Sequence, residues 1–173
     1  MSVDSSQAAP ARAAVRTRFG ALDDVDRDIL RELERDGRIS NKDLADLVGV
    51  APSTCHARVR ALRESGVIRG FSADVDPRAL GRGLQAIIAV RLQAQARARL
   101  GKFAHELAGR PEVRDVYLLG GTDDVMAHVQ VEDSDALRQF VIDHLSTRQE
   151  VAHTQTSLVF EHVHQPASIP STY

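Results

Sequence analysis

Tryptophan is missing from this chain of 173 residues, and aromatic side chains make up only 4% of it. Binding single-stranded nucleic acid by stacking successive bases on rings calls for more rings than that. A single cysteine, Cys55, excludes an intramolecular disulfide and fits a reducing, cytosolic setting. No run of about 18 or more apolar residues is present, which excludes a membrane-spanning helix. The first 20 residues lack the charged-then-apolar pattern of a secretory leader; they are rich in Ser, Ala and Arg and read as a flexible arm. There is no Ser/His/Asp spacing, phosphate loop or dinucleotide fingerprint, so no catalytic residue and no cofactor is expected and the chain does not read as an enzyme.

What is present is globular in character. Apolar residues make up 43% of the chain, and its length suits one or two small domains with real cores. Net charge is only −2, close to balance, so its distribution matters more than its sum. Residues 1–70 carry 12 Lys and Arg against 11 Asp and Glu; residues 71–173 carry 10 against 13. Segregation is sharper locally. Between residues 51 and 70, Arg58, Arg60, Arg63 and Arg69 face a single acid, Glu64, while Asp23, Asp24, Asp26, Asp28, Glu32, Glu34 and Asp36 crowd the segment before. A basic face can bind phosphates while the rest of the molecule stays acidic.

Three helices are expected in the first part. One runs from residue 23 or 24 to residue 36, with Val25, Ile29, Leu30 and Leu33 at helical spacing and Gly37 ending it. Ser40 with Asp43 resembles a capping box for the next, with Leu44, Leu47 and Val48 inward and Gly49 closing it. Pro52 suits the first position of the third, whose stripe is Cys55, Val59 and Leu62 and whose stop is Gly66. Two helices joined across so short a turn can push the second into the DNA major groove. With that stripe inward, Ser53, Thr54, His56 and Arg60 face away from the core and could meet base edges. Arg58, Arg63 and Arg69 would contact phosphates or pair with the acidic first helix. The competing account is a solvated amphipathic helix in an unrelated bundle.

Residues 67–75 read as a strand, and Gly81 and Gly83 as a hinge. Beyond them the expected order is a strand over 85–92, a helix over 96–108, strands over 113–119 and 125–131, a helix over 135–145 and a strand over 151–161. This is βαββαβ, the ferredoxin-like arrangement. The loop Gly120, Gly121, Thr122, Asp123, Asp124, entered from Leu119, is the second candidate site. Adjacent glycines let backbone N–H groups approach a carboxylate closely, and Asp123 or Asp124 could take the ammonium of the same molecule. Glycine and aspartate between strands also make an ordinary hairpin turn. His162 and His164 share a face near the end of the last strand. They have no fitting third ligand nearby, so no metal site is expected.

The segments LDDVDRDIL, then DGRISNKDLADLVGVAPSTCHARVRALRESGVIRGFSADVDP, then VYLLGGTDDVMAHVQV, in that order over residues 22–161, resemble the Lrp/AsnC (feast/famine) family of transcriptional regulators. The last contains a glycine followed three positions later by aspartate, Gly121 and Asp124, similar to the family's effector loop. The resemblance implies an α+β chain, an N-terminal winged helix-turn-helix followed by a ferredoxin-like domain. It also implies dimers built through the second domain and assembled into tetramers or octamers, with amino acids or related small metabolites altering assembly or DNA contact. Three features depart from the family pattern. Ala51 stands where a Ser or Thr cap is usual, Asp123 replaces the frequent aromatic, and the N-terminal arm with Arg12, Arg16 and Arg18 is long.

The expected layout is a flexible arm over 1–20, a DNA-binding domain over 21–75, a hinge over 76–84, an effector-binding and oligomerisation domain over 85–162 and a tail over 163–173. The expected function is a cytoplasmic, nucleoid-associated regulator that binds double-stranded DNA through Ser53, Thr54, His56, Arg58, Arg60 and Arg63. An amino acid or related effector would bind at Leu119, Gly120, Gly121, Thr122, Asp123 and Asp124. The alternatives are an architectural protein that coats DNA, or an amino-acid sensor without specific DNA readout.

Overall fold

The computed structural model describes residues 16–17 and 20–163; most of the expected arm and tail, including Arg12, Arg18 and His164, lies outside the described residues. The chain divides into two compact units, one through Ala73 and the other Asp74–Val163.

The first unit opens with a two-residue antiparallel ladder, β1 (Arg16–Thr17) against β2 (Gly20–Ala21). Helix α1 (Asp24–Arg35) begins at a reciprocal cap: the Asp26 N–H donates to Asp23 at 2.8 Å, and the Asp23 N–H donates back to Asp26 at 3.3 Å. Acidic residues there also suit the positive end of the helix dipole. Helix α2 (Asn41–Val48) is capped by Ser40, which accepts from the Asp43 N–H at 3.1 Å, and ends at Gly49 with φ +70°. That left-handed geometry is what glycine supplies without strain. Helix α3 (Pro52–Glu64) follows at once, and the Asn41 amide donates to the Pro52 carbonyl at 2.9 Å, tying the start of α2 to the start of α3.

Ile29, Leu44, Ala45, Cys55 and Leu62 form the core of this unit, ringed by Val25, Leu33, Val48, Val59 and Ile68 among others. Two expectations fail here. Leu47 is not inward but 63% exposed; Ala45 takes the place beside Leu44. With Leu44 and Val48 on the core face, the helical period of about 100° per residue carries Leu47 well off that face. Residues 67–75 form no strand. A strand needs a partner for its backbone groups, and the one ladder among the described residues of this unit is the β1–β2 pair. The segment is held instead by packing, with Val67 and Ile68 against the core and the Phe71 ring over Gly37, where a Cβ would sit 3.0 Å from the ring.

The second unit begins with a 3-10 turn, Pro77–Leu80, capped by Asp76 and closed by Gly81 at φ +73°. Its sheet holds β3 (Leu84–Leu92), β4 (Val113–Leu118), β5 (Val125–Val131) and β6 (Val151–Val159), in the spatial order β4-β5-β3-β6 and antiparallel throughout. This is the ferredoxin-like order. Alternation along β3 and β5 sends Ala86, Ile88, Val90, Leu92, Val125, Ala127, Val129 and Val131 to one face. There they meet Phe103 and Leu107 of α4 (Leu100–Ala108), Leu137 and Phe140 of α5 (Ser134–Val141), and Leu145. The helix expected over 96–108 starts as a 3-10 stretch, Ala94–Arg99, and the one expected over 135–145 ends as a π turn, Ile142–Ser146. The other sheet face aligns Tyr117, Met126, Ala89 and Gln155 in one row and Asp115, His128, Ile87 and Ser157 in the next.

Candidate functional site

Two regions carry chemistry, one in each unit. On α3, Cys55 and Leu62 are buried, and the period of the helix therefore exposes Ser53, Thr54, His56, Arg60 and Arg63. Burial pushes the Cys55 thiol pKa up, so it stays a protonated core side chain. Arg60 Nε pairs with Glu64 one turn along at 2.7 Å, but both side chains are largely exposed. Such a surface pair contributes only about 0.3–0.5 kcal/mol and yields readily to a phosphate. His56, Arg60, Arg63 and Arg69 line a groove of about 530 Å³ with Val59, Glu64, Ile68 and Gly70, so three arginines face a single acid in its lining.

Arg58 is placed differently. Its Nη1 lies 2.7 Å from Asp23 and 2.8 Å from Asp26, across the first turn of α1. Those hydrogen bonds raise the Arg58 pKa further. At Asp23, burial pushes the carboxyl pKa up, but the Asp26 N–H and the Arg58 guanidinium outweigh it and hold it below the ordinary value. Of the two roles the sequence left open for Arg58, pairing with the acidic helix is the one it fills here.

The second region is the β4–β5 connection. The Leu119 N–H donates to the Asp124 carbonyl and the Asp124 N–H to the Val90 carbonyl, each at 3.0 Å, which fixes the loop to the end of β3. Neither Gly120 nor Gly121 has a positive φ, and a Cβ on either would meet nothing within 4 Å. Nothing within this chain therefore requires glycine at these two positions. Asp124 is buried, and both its oxygens are engaged: Oδ2 accepts from the Leu92 N–H at 2.8 Å and Oδ1 lies 3.1 Å from Arg97 Nε. Arg91 donates to the Thr122 carbonyl at 2.9 Å and lies 3.7 Å from Asp123. Contrary to the expectation that one of these carboxylates is open to an ammonium, each already faces a guanidinium. Sequence reading missed Arg91 and Arg97 because they precede the loop by more than twenty residues; the available signal was an arginine interrupting the apolar run of β3.

Among the described residues no His, Cys, Asp or Glu cluster could hold a metal ion. No helix among them is long and apolar enough to cross a membrane. His162 lies beside His128, ring centroids 6.1 Å apart.

A family profile described as winged helix-turn-helix DNA-binding matches residues 22–69, and one described as the Lrp/AsnC ligand binding domain matches residues 85–169. The chain is 54% identical over 142 residues to the HTH-type transcriptional regulator AldR of Mycolicibacterium smegmatis, covering 82% of this chain and 83% of that one. It is 39% identical over 142 residues to the leucine-responsive regulatory protein of Rhizobium meliloti, covering 82% and 91%. The crystal structure of MtbAldR aligns with a TM-score of 0.71 at 45% identity, over 85% of this chain and 100% of that one. A transcriptional regulator from Neisseria meningitidis, solved as a complex with L-Met, aligns with a TM-score of 0.76 at 29% identity, over 87% and 97%. A basic-faced third helix in the first unit and a four-stranded α+β second unit are thus matched along nearly their whole described length. The chain belongs to the Lrp/AsnC family, as a non-enzymatic transcriptional regulator with a helix-turn-helix DNA-binding domain and a ligand-binding domain.

Proposed function

We propose that this regulator is a homo-oligomer that reads specific double-stranded DNA sites in the cytoplasm and whose assembly and DNA binding respond to an amino acid or related small metabolite. The observation that carries the DNA half is the exposed N-terminal face of α3, free of core packing and flanked by the basic groove. In this docking mode helix N-terminal residues meet base edges, which assigns Ser53, Thr54, His56 and Arg60 to readout. Arg63 and Arg69 hold phosphates, and Arg58 orients the helix through α1.

Self-association follows from the sheet face that α4 and α5 do not cover. Ile87, Ala89, Met126 and Tyr117 lie on it, Tyr117 52% exposed, with Phe160 just past β6 at 95%. Apolar surface of this kind is stabilised when a second copy covers it. A dimer would present two recognition helices to half-sites about 34–36 Å apart, one helical turn of DNA. The effector half rests on the open loop at residues 119–124 and is supported by the L-Met complex of the Neisseria relative. Effector would act by binding one assembly state better than another, since only differential affinity shifts an equilibrium.

Selection of bound fragments from a genomic library tests this reading. Recovery of a discrete palindromic site, lost with Arg60→Glu, is expected. Equal recovery of all fragments, with a footprint that spreads with concentration, would point to an architectural role instead.

A further inference from the structure

We propose that Glu64 is a positioning residue for DNA readout: it holds Arg60 through Nε and so presents the terminal fork of the guanidinium to a guanine at one fixed position in each half-site. This rests on the reading of α3 as the recognition helix and names a base that it selects.

Arg60 is held unlike the other arginines of its unit that meet an acid. Arg27, Arg31, Arg35 and Arg58 each do so through Nη1. Arg60 meets Glu64 through Nε, at 2.7 Å, and neither of its terminal nitrogens has a partner among the described residues. The guanidinium is planar and rigid, so a bond at Nε fixes the plane and leaves both terminal nitrogens to a second partner. Two parallel donors in one plane match the O6 and N7 acceptors of guanine in the major groove.

Placement on the helix agrees. Ser53, His56, Arg60 and Glu64 follow one another at steps of three and four residues, one outward stripe of α3. His56, Arg60 and Glu64 also line the same groove, in which Glu64 is the single acid.

Helix stability does not account for the pair. Glu64 is the last residue of α3, where the helix dipole disfavours an acid. Arginine four residues before glutamate is the weaker order for such a pair, and the two side chains are 72% and 63% exposed, where an ion pair adds little. An acid here also repels phosphate and lowers the general attraction for DNA. What it supplies is order. Fixing a flexible arginine before binding removes part of the entropy cost of its next contact. A phosphate gains little from the fixed plane and brings negative charge up to Glu64. A guanine edge gains the orientation and carries no net charge. Glu64 therefore favours base over backbone at Arg60.

The test uses the full chain, selection from a randomised duplex library, and titration of the selected site with each base exchanged in turn. Wild type is expected to prefer guanine by ~10-fold or more at one position per half-site, and Arg60→Ala to abolish that preference. Glu64→Ala is expected to cut the preference by ~3-fold or more, and to steepen the salt dependence on random duplex by about one phosphate contact as Arg60 turns to the backbone. Glu64→Gln keeps an acceptor for Nε, so it is expected to retain most of the guanine preference while binding random duplex more tightly than wild type. Urea midpoints of both Glu64 variants should equal or exceed that of wild type, which separates positioning from folding. A discrete site without an Arg60-dependent guanine, or a guanine preference unchanged in Glu64→Ala, would overturn the proposal while leaving DNA readout by α3 standing. If the wild-type chain selects no site at all, that readout falls and the proposal with it.

Discussion

Arg58 and Asp26 meet at 2.8 Å although 32 residues separate them, and the same guanidinium nitrogen also lies 2.7 Å from Asp23. The two carboxylates it bridges are the residues that cap α1 reciprocally. A single arginine thus closes α3 onto the start of α1.

Removing either side of that junction should weaken the first unit. Asp23→Ala loses the cap, at a cost of about 1 kcal/mol, and also removes one of the two carboxylates that Arg58 bridges. Arg58→Ala should lower stability too, yet leave the salt dependence of DNA binding nearly unchanged. Arg63→Ala should do the reverse, flattening the slope by about one phosphate contact with little loss of stability. Urea melts alongside binding titrations at several salt concentrations distinguish the two. The Asp23 carboxyl lies below its ordinary value in the fold. Its stabilising effect is therefore complete above the unfolded carboxylate value and is lost as pH falls through the folded one.

Ala51 occupies the N-cap of α3 with extended backbone, φ −65° and ψ 144°, and makes no side-chain cap bond. Ser adopts this backbone freely and accepts from the N–H groups of the first turn. Ala51→Ser should stabilise the first unit by about 0.5–2 kcal/mol. The gain is read as a higher urea midpoint at unchanged slope. A midpoint that stays put would mean that the first-turn N–H groups are already well solvated.

Much of this fold is legible in the sequence where one residue acts on its neighbours. Ser40 and Asp43 cap α2, Gly49 ends it, and the alternation in β3 reports which face is buried. Legibility fails where the deciding partner lies far along the chain. Gly37 is less a helix stop than the floor beneath the Phe71 ring. Leu47 fits an apolar helical pattern but lies off the core face, because Ala45 fills the place beside Leu44. Residues 67–75 have strand composition and no ladder partner in their unit. At the loop, glycines and aspartates are visible locally, whereas Arg91 and Arg97, which engage both carboxylates, sit on or just after another strand.

His128 sits on the sheet face away from the helices, its Nε2 2.9 Å from the Gln85 amide oxygen. Burial pushes its pKa below the ordinary histidine value, against the opposing pull of Asp115 at 3.7 Å, with His162 and Arg114 reinforcing the drop. The imidazole is thus neutral in the fold at neutral pH and donates to Gln85. Its stabilising effect is complete above about pH 6.5, the unfolded value, and is lost as pH falls toward the lower folded value. The difference in urea midpoint between wild type and His128→Gln should therefore shrink on acidification from about pH 7 to about pH 5. A histidine NMR titration giving His128 a pKa above the ordinary value would contradict this.

Asp124 makes two interactions that substitution can separate. Asp124→Ala leaves the buried Leu92 N–H without an acceptor and should destabilise the second unit by about 1–3 kcal/mol. Asp124→Asn keeps an oxygen for Leu92 but gives up the charge opposite Arg97, whose side chain is half exposed and loses little on release to water. The asparagine variant should therefore retain most of the stability that the alanine variant loses, and amide exchange at Leu92 should accelerate only in the latter. Equal destabilisation by both would mean that the ion pair with Arg97, rather than the hydrogen bond to Leu92, holds the loop against the end of β3.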